Sequence, residues 1–225
     1  MIIVTGASRG LGLAITERLV QRGEEVLGLV RSTDGMHIPA IECDVSDYAS
    51  VKNAAREVKR MKKSVKAFIN VAGVASMNMA VTTNQSTVQK LIQTNLVGTI
   101  YCSQLFAPLL IRQKSGSFIN FSTIAVALAL KGESIYAASK AGVESFSRTF
   151  AREMADFNVR VNCIAPGPIQ TDLLRGVTDS QIKKITAQQV IPIQFQKSDV
   201  CDLVELLIDK KASSLSGQVL NLGGV

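Results

Sequence analysis

Histidine, paired cysteines and long hydrophobic runs are scarce in this sequence. The 225 residues include one histidine, His37, no tryptophan, and four cysteines that lie far apart without a C-x-x-C pair. This pattern predicts thiols in a reducing compartment and no metal site. The longest uninterrupted apolar run, 124–130, has seven residues, whereas a helix needs roughly 20 residues to cross a bilayer. The first residues also lack the features of a signal peptide, so we expect a cytoplasmic protein with no membrane partner.

The net charge of +7 is concentrated in one segment. Residues 52–66 hold seven basic residues and one acidic residue. Apolar residues recur there at helical spacing, which places the basic side chains on a solvated helix face. No aromatic residues interleave with them, as stacking on single strands would need. We therefore expect no nucleic-acid partner.

Length and composition predict one globular domain over residues 1–225. With 47% hydrophobic and 19% charged residues, the chain is too apolar to be disordered and too mixed to be fibrous. Short apolar runs alternate with helix-period segments, which is typical of an α/β fold with a doubly wound, Rossmann-type parallel sheet of about seven strands and helices on both faces. The expected strands are Ile2–Thr5, Glu25–Val30, Ile38–Cys43, Val65–Asn70, Gly116–Ser122, Val159–Ile164 and Gln218–Leu222. The expected helices are Gly10–Arg22, Tyr48–Lys62, Ser86–Gln113, Ser134–Asp156, Asp179–Gln188 and Asp199–Lys210.

Two short connections stand out in this pattern. Only residues 31–37 separate the second and third expected strands, which is too few for a crossover helix, so the fold should be shortened there and that sheet edge open to solvent. Directly after the first strand, the segment Thr5–Gly12 carries glycines at positions 6, 10 and 12 and leads into an amphipathic helix. A glycine turn between a strand and a helix N-terminus is suited to binding a pyrophosphate, although a plain structural turn would have the same residues.

The end of the second strand bears on which dinucleotide would bind. A carboxylate there would hydrogen-bond the adenosine ribose, whereas a guanidinium would pair with a 2′-phosphate. Val30 stands at that position, Arg31 and Ser32 follow, and Arg9 lies in the glycine loop. These residues favour NADPH over NADH; the alternative is that both arginines are solvated surface residues.

Tyr136 and Lys140 are four residues apart at the start of a predicted helix, so both side chains project from one face. A cation about 4 Å from the phenol is worth roughly 4 kcal/mol at an effective dielectric near 20, enough to lower a tyrosine pKa by about three units. The pair could thus serve as an acid-base device. The alternative is an ordinary surface pair.

Several motifs together resemble the short-chain dehydrogenase/reductase family. They occur in the family's order over the whole chain: Thr5-Gly6-x-x-x-Gly10-x-Gly12, Asn70-Val71-Ala72-Gly73, Asn95, Asn120-Phe121-Ser122-Thr123, Tyr136-x-x-x-Lys140 and Pro166-Gly167. The chain is most similar to the single-domain branch that includes 3-oxoacyl-carrier-protein reductases. The resemblance implies a homo-oligomer, a tetramer or dimer, that interconverts a small-molecule carbonyl and an alcohol with NADP(H).

The resemblance also implies roles for single residues. Tyr136 would donate a proton to the substrate oxygen, Lys140 would lower the tyrosine pKa and hold the nicotinamide ribose, and Asn95 would position a water linked to Lys140. The family's substrate-orienting serine lies thirteen residues before the tyrosine, which here is Thr123 rather than Ser122; spacing favours Thr123, with Ser122 as its rival. The implied cofactor-binding residues are Gly6, Ser8, Arg9, Gly10, Leu11, Gly12, Arg31, Ser32, Asp44, Val45, Asn70, Ala72, Gly73, Pro166, Gly167, Ile169 and Thr171, together with Tyr136 and Lys140.

Two alternatives stay open at this point. Residues 172–196 carry apolar residues among polar ones and would form either a lid over a substrate pocket or an ordinary packing element. The chain as a whole could instead be a catalytically silent NADPH-binding module. Such a module would be expected to lose Tyr136, Lys140 or Asn95, and all three are present.

Overall fold

The central element of the fold is a parallel sheet of seven strands. The computed structural model describes residues 1–171 and 177–225. The sheet order is β3-β2-β1-β4-β5-β6-β7, and all six strand pairs are parallel. The strands are β1 (Ile2–Thr5), β2 (Val26–Val30), β3 (Ala40–Glu42), β4 (Ala67–Asn70), β5 (Ser117–Phe121), β6 (Arg160–Ala165) and β7 (Val219–Asn221). The expected α/β class and seven strands are confirmed.

Helices connect these strands and cover the sheet. They are α1 (Gly10–Gln21), α2 (Tyr48–Arg60), α3 (Gln85–Leu91), α4 (Gly98–Gln113), α5 (Ala125–Leu128), α6 (Ser134–Ala155), α7 (Asp179–Thr186) and α8 (Lys197–Ile208), with short 3₁₀ turns at Ala80–Thr82 and Lys210–Ala212. Five of the six expected helices are present with small shifts at their ends, and the sixth, Ser86–Gln113, is divided into α3 and α4. The basic segment follows α2, whose buried residues are Val51, Ala54 and Val58, as its apolar spacing predicts.

Strand alternation builds a hydrophobic core on each side of the sheet. On one side Ile3, Phe68 and Phe118 pack with residues of α2, α4 and α6. On the other side Ile2 and Ile69 pack with residues of α1 and α8. Because both faces of the sheet are covered, the strands read as nearly continuous apolar runs.

The structure differs from the expected helices at two places. The single helix expected over Ser86–Gln113 is interrupted by a π-helical turn, Ile92–Val97, between α3 and α4. That turn contains Asn95, whose buried side chain bonds to other parts of the chain. Helix α5 was not expected, and it occupies part of the longest apolar run. Hydrophobic periodicity does not distinguish a π turn from a regular helix over so few residues.

The helical stretch Gln85–Gln113 is also the one described segment that is long and apolar enough to cross a membrane by length and composition. Its apolar side chains have a different role here, because Cys102, Phe106 and Leu110 are fully buried against the sheet. A buried core helix passes the same test as a spanning helix. The apolar composition of this segment is thus explained by its packing in the hydrophobic core.

The short connection after β2 has the expected form. No helix lies between β2 and β3, and β3 pairs with β2 in parallel at the sheet edge, with Gly28 opposite Ala40. The chain then returns to β4, on the other side of β1. This reversal of strand order opens a crevice at the carboxyl ends of β1 and β4, which is where doubly wound sheets bind ligands.

Candidate functional site

Two adjoining cavities lie at the carboxyl ends of the strands. The first, about 390 Å³, we call the trough; it runs from the glycine loop past the ends of β1 and β2. The second, about 140 Å³, we call the reaction pocket; it lies between the ends of β4, β5 and β6 and the start of α6. Leu11, Val71, Gly73, Val74 and Thr171 line both cavities, so a single extended ligand can occupy the two together.

The trough gathers most of the residues expected to bind a dinucleotide. Of that set, its wall contains Gly6, Ser8, Arg9, Gly10, Leu11, Gly12, Arg31, Asp44, Val45, Ala72, Gly73 and Thr171. The loop can only close this way with glycine at position 12, because a Cβ there would lie 2.2 Å from the carbonyl oxygen of Gly6. Helix α1 begins beside the loop without a side-chain cap or an acidic residue in its first turn. Its first N–H groups are thus suited to an anion such as a pyrophosphate.

Two of the expected cofactor residues lie elsewhere. The side chain of Asn70 is buried and donates a 2.8 Å hydrogen bond to Asn120 Oδ1. Asn120 in turn donates to Ser147, so this row of polar groups joins β4, β5 and α6 inside the core. Ser32 is exposed and bonds to the carboxylate of Asp34, outside both cavities. Strand alternation turns Asn70 toward a helix, and the Ser32–Asp34 contact forms within the exposed loop.

The reaction pocket brings together residues from three parts of the chain. Ser122 and Thr123 follow β5, Tyr136 and Lys140 lie on the first two turns of α6, and the segment after β6 contributes the expected Pro166, Gly167, Ile169 and Thr171. Helical spacing places Tyr136 and Lys140 on the same face, as expected. Ser122 and Thr123, at the carboxyl end of β5, line the same cavity as these two side chains.

Ser122 and Thr123 point in different directions. The Ser122 hydroxyl is buried and donates a 2.7 Å hydrogen bond to Glu144 on α6. Thr123 is only partly buried, and its hydroxyl lies close enough to Tyr136 to act on the pKa of the phenol by hydrogen bonding. Glu144 was not singled out from the sequence; an acid eight residues beyond Tyr136 carries no local signal of this contact.

Lys140 is buried, and its Nζ donates a 2.8 Å hydrogen bond to the carbonyl oxygen of Phe121. Burial lowers the pKa of Lys140 to about 8. For Tyr136, burial and then the negative charge of Glu133 raise the pKa above its ordinary value, and the Thr123 hydroxyl opposes this rise. In this arrangement the raised pKa of Tyr136 comes from burial and Glu133, while the Lys140 ammonium bonds to a main-chain carbonyl. That Lys140 lowers the pKa of Tyr136 during the reaction stays a prediction.

Asn95 lies next to Lys140 and lines neither the trough nor the reaction pocket. Its side chain accepts from Val74 N at 2.8 Å and donates to Val74 O at 2.9 Å and to Ser139 Oγ at 3.0 Å. A Cβ on Gly73 would come within 3.2 Å of Asn95 Oδ1 and 3.5 Å of Lys140 Nζ. Asn95 thus holds the loop after β4 against α6, next to the lysine.

The walls of the reaction pocket also include residues outside the set of expected site residues. Leu130, Met77, Val177 and Ile185 supply apolar surface, and Glu133 is the acidic residue among the lining side chains that the structure describes. Val177 and Ile185 belong to the segment expected to form a lid or a packing element; residues 172–176 of that segment lie outside the described residues. Glu133 stands three residues before Tyr136, so helical spacing could have placed it near the phenol.

Metal ligands do not cluster at this site. Within residues 1–171 and 177–225, no three His, Cys, Asp or Glu side chains are close enough to hold a metal ion. All four cysteines are buried free thiols.

Comparisons with known proteins agree with this architecture. The family model described as short chain dehydrogenase matches residues 1–182. The 3-oxoacyl-acyl-carrier-protein reductase of Staphylococcus epidermidis is 31% identical, and the match covers 99% of this chain and 96% of that protein. The corresponding reductase of Salmonella typhimurium is 30% identical, covering 99% and 95%.

Solved structures give the same result. The ligand-free aldohexose dehydrogenase of Thermoplasma acidophilum is 28% identical and superposes with a TM-score of 0.90, covering 99% of this chain and 92% of that one. A short-chain type dehydrogenase/reductase from Mycobacterium ulcerans is 25% identical with a TM-score of 0.90, covering 98% and 87%. By sequence and by fold, this chain belongs to the short-chain dehydrogenase family of oxidoreductases.

Proposed function

We propose that this protein is an NADP(H)-dependent oxidoreductase that interconverts a carbonyl and a secondary alcohol, with Tyr136 as the proton donor and acceptor. The observation that carries this proposal is the convergence of Tyr136, Thr123 and Lys140 in a pocket continuous with the trough. A phenol, a second hydroxyl and an ammonium at the end of a cavity with a glycine loop and a helix N-terminus are the groups that carbonyl reduction needs.

The residues of the trough fit a nicotinamide dinucleotide. The glycine loop and the N-terminus of α1 would hold the pyrophosphate, Asp44 and Val45 would border the adenine, and Pro166, Gly167, Ile169 and Thr171 would contact the nicotinamide side. At the end of β2 the buried Val30 supplies no carboxylate, while Arg9 and Arg31 line the trough. Two guanidinium groups and no acid at the strand end support binding of a 2′-phosphate. When bound, the cofactor supplies or accepts the hydride.

Side chains of the protein itself would donate the proton and stabilise the group that loses it. Because burial keeps the pKa of Tyr136 high, the phenol is protonated at neutral pH and can donate to the substrate oxygen as the carbonyl carbon is reduced. The Thr123 hydroxyl would hydrogen-bond the same oxygen and orient it. The Lys140 ammonium would stabilise the phenolate that results, and Asn95 would position the loop and any water that reprotonates it.

The pocket walls indicate the kind of substrate. Leu130, Val177 and Ile185 form an apolar surface that suits the hydrocarbon part of a small ketone or of a 3-oxoacyl group. We further propose a single domain over residues 1–225, a cytoplasmic location, and a homo-oligomer, dimeric or tetrameric, assembled through the long helices α4 and α6 as in the family.

The decisive experiment replaces the phenol. Tyr136→Phe should reduce turnover of a panel of ketones, 3-oxoacyl thioesters and keto-sugars by several orders of magnitude, while NADPH binding followed by fluorescence stays nearly unchanged. Tyr48→Phe, at an exposed tyrosine on α2, is the matched control and should be fully active. If the wild-type protein binds NADPH but none of the carbonyl compounds in the panel causes NADPH oxidation, the protein is instead a catalytically silent cofactor-binding module.

A further inference from the structure

A carboxylate lies in the otherwise apolar part of the reaction pocket. Glu133 directly precedes α6 and lines the pocket together with Tyr136, Leu130, Val177 and Ile185. Only 7% of its surface is exposed. Acidic residues are almost never buried to this degree without a partner, because removing a carboxylate from water is costly.

Within the part of the chain that the structure describes, this carboxylate has no hydrogen-bond or ion-pair partner. The main-chain groups of Glu133 are engaged, since its N–H donates to Leu130 O and its carbonyl accepts from Ala137 N. The side chain does not cap α6. Among residues 1–171 and 177–225, no hydrogen bond or ion pair to its carboxylate oxygens is present.

The carboxylate also acts on the reacting group. Burial raises the pKa of Glu133 itself, and the negative charge of Glu133 contributes to the raised pKa of Tyr136. The two groups are therefore within electrostatic reach of each other inside one cavity. A substrate whose carbonyl oxygen meets the phenol would occupy the same cavity that the carboxylate lines.

We propose that Glu133 is a specificity-determining residue whose carboxylate accepts a hydrogen bond from a donor group on the substrate, so that the preferred substrates are carbonyl compounds bearing a hydroxyl or an amine. This inference rests on the proposed carbonyl reduction and adds the substrate class to it. A site built to bind a polar group discriminates strongly against the analogue that lacks it, because a buried carboxylate is then left without a partner. A plain hydrocarbon ketone would incur that cost in the reaction pocket.

The test compares three ketones of the same skeleton: cyclohexanone, 4-hydroxycyclohexanone and 4-aminocyclohexanone, each reduced with NADPH. We expect the wild-type protein to favour the two donor-bearing ketones in kcat/KM by about tenfold or more. In Glu133→Leu this preference should collapse, with kcat/KM rising for cyclohexanone and falling for the other two. Glu133→Gln, which keeps an acceptor but not the charge, should retain the hydroxyl preference and lose the amine preference, which separates the two kinds of donor.

A matched control is available on the same helix. Glu153→Gln removes an exposed carboxylate from α6. It should leave the ratios of kcat/KM among the three ketones at their wild-type values. Ratios that stay unchanged in both Glu133 variants, while cyclohexanone is still reduced, would overturn the role of Glu133 and leave the oxidoreductase proposal intact.

A binding measurement keeps the two proposals separable. Saturation-transfer NMR compares cyclohexanol with 1,4-cyclohexanediol and needs no turnover. If no ketone is reduced but the diol binds better than cyclohexanol, and only when Glu133 is present, the oxidoreductase proposal fails and the role of the carboxylate holds. If the diol has no advantage that depends on Glu133, the inference is wrong whether or not the protein turns over ketones.

Discussion

The hydroxyl of Ser122 donates a 2.7 Å hydrogen bond to the carboxylate of Glu144, which itself pairs with Arg148. This contact directs Ser122 into the core between β5 and α6 and leaves the next residue, Thr123, beside Tyr136. Both residues line the reaction pocket, but the Ser122 hydroxyl is engaged by Glu144, whereas the Thr123 hydroxyl lies near the phenol. The geometry thus favours the assignment made by spacing.

The first prediction separates these two hydroxyls by their effects. Thr123→Val should lower kcat by about 10²-fold, because it removes one hydrogen-bond donor to the developing oxyanion, with little effect on the melting temperature. Thr123→Ser, which keeps the hydroxyl, should restore most of the rate.

Ser122→Ala provides the converse measurement. It removes a buried hydrogen bond to a charged group, so it should destabilise the fold by roughly 1.5–3 kcal/mol in denaturant unfolding and change kcat far less than Thr123→Val does. A larger loss of kcat in Ser122→Ala than in Thr123→Val would reverse the assignment.

The second prediction concerns Lys140 and the pH dependence of stability. Burial lowers the pKa of this lysine from 10.5 to about 8, so between these pH values the unfolded chain binds more protons than the folded one. The free energy of unfolding should therefore gain a contribution as the pH rises through this window, on the order of 3 kcal/mol, because the cost of burying the ammonium disappears.

Lys140→Met lacks this titration. The free energy of unfolding of Lys140→Met, compared with that of the wild type, should thus be highest at about pH 7 and should lose this advantage toward about pH 10. Denaturant unfolding at each pH measures the difference. Lys59→Met, at an exposed lysine on α2, is the control and should show no such trend. A difference between Lys140→Met and wild type that does not change with pH would mean that the lysine is not desolvated.

The third prediction tests the choice of cofactor. Arg9→Ala and Arg31→Ala should each weaken NADPH binding by about tenfold or more, as loss of a charge-assisted hydrogen bond to a 2′-phosphate implies. NADH binding should hardly change, because NADH has no phosphate at that position. Titration of cofactor fluorescence at constant salt measures both affinities.

Arg60→Ala provides the charge control for these variants. It removes the same charge from an exposed position on α2 and should leave both affinities unchanged. Equal losses of affinity for NADPH and NADH in Arg9→Ala and Arg31→Ala would show that the arginines do not bind the 2′-phosphate.

Most of the fold could be predicted because it depends on local patterns. The apolar runs of the strands, the helical spacing of Val51, Ala54 and Val58, and the glycine loop before α1 each report on a few neighbouring residues. The π turn around Asn95 could not be predicted in this way. It is accompanied by bonds from Asn95 to Val74 and Ser139, which are distant in sequence.

By itself the sequence determined the strand and helix order, the position of the glycine loop, and the common helix face of Tyr136 and Lys140, because these follow from backbone periodicity. Only the tertiary structure decided that Ser122 bonds to Glu144, that Asn70 bonds to Asn120 in the core, and that Glu133 lines the reaction pocket. It also decided that Tyr136 is buried, which raises the pKa of its phenol. Burial and long-range contacts depend on how distant segments pack, and no local pattern of residues encodes them.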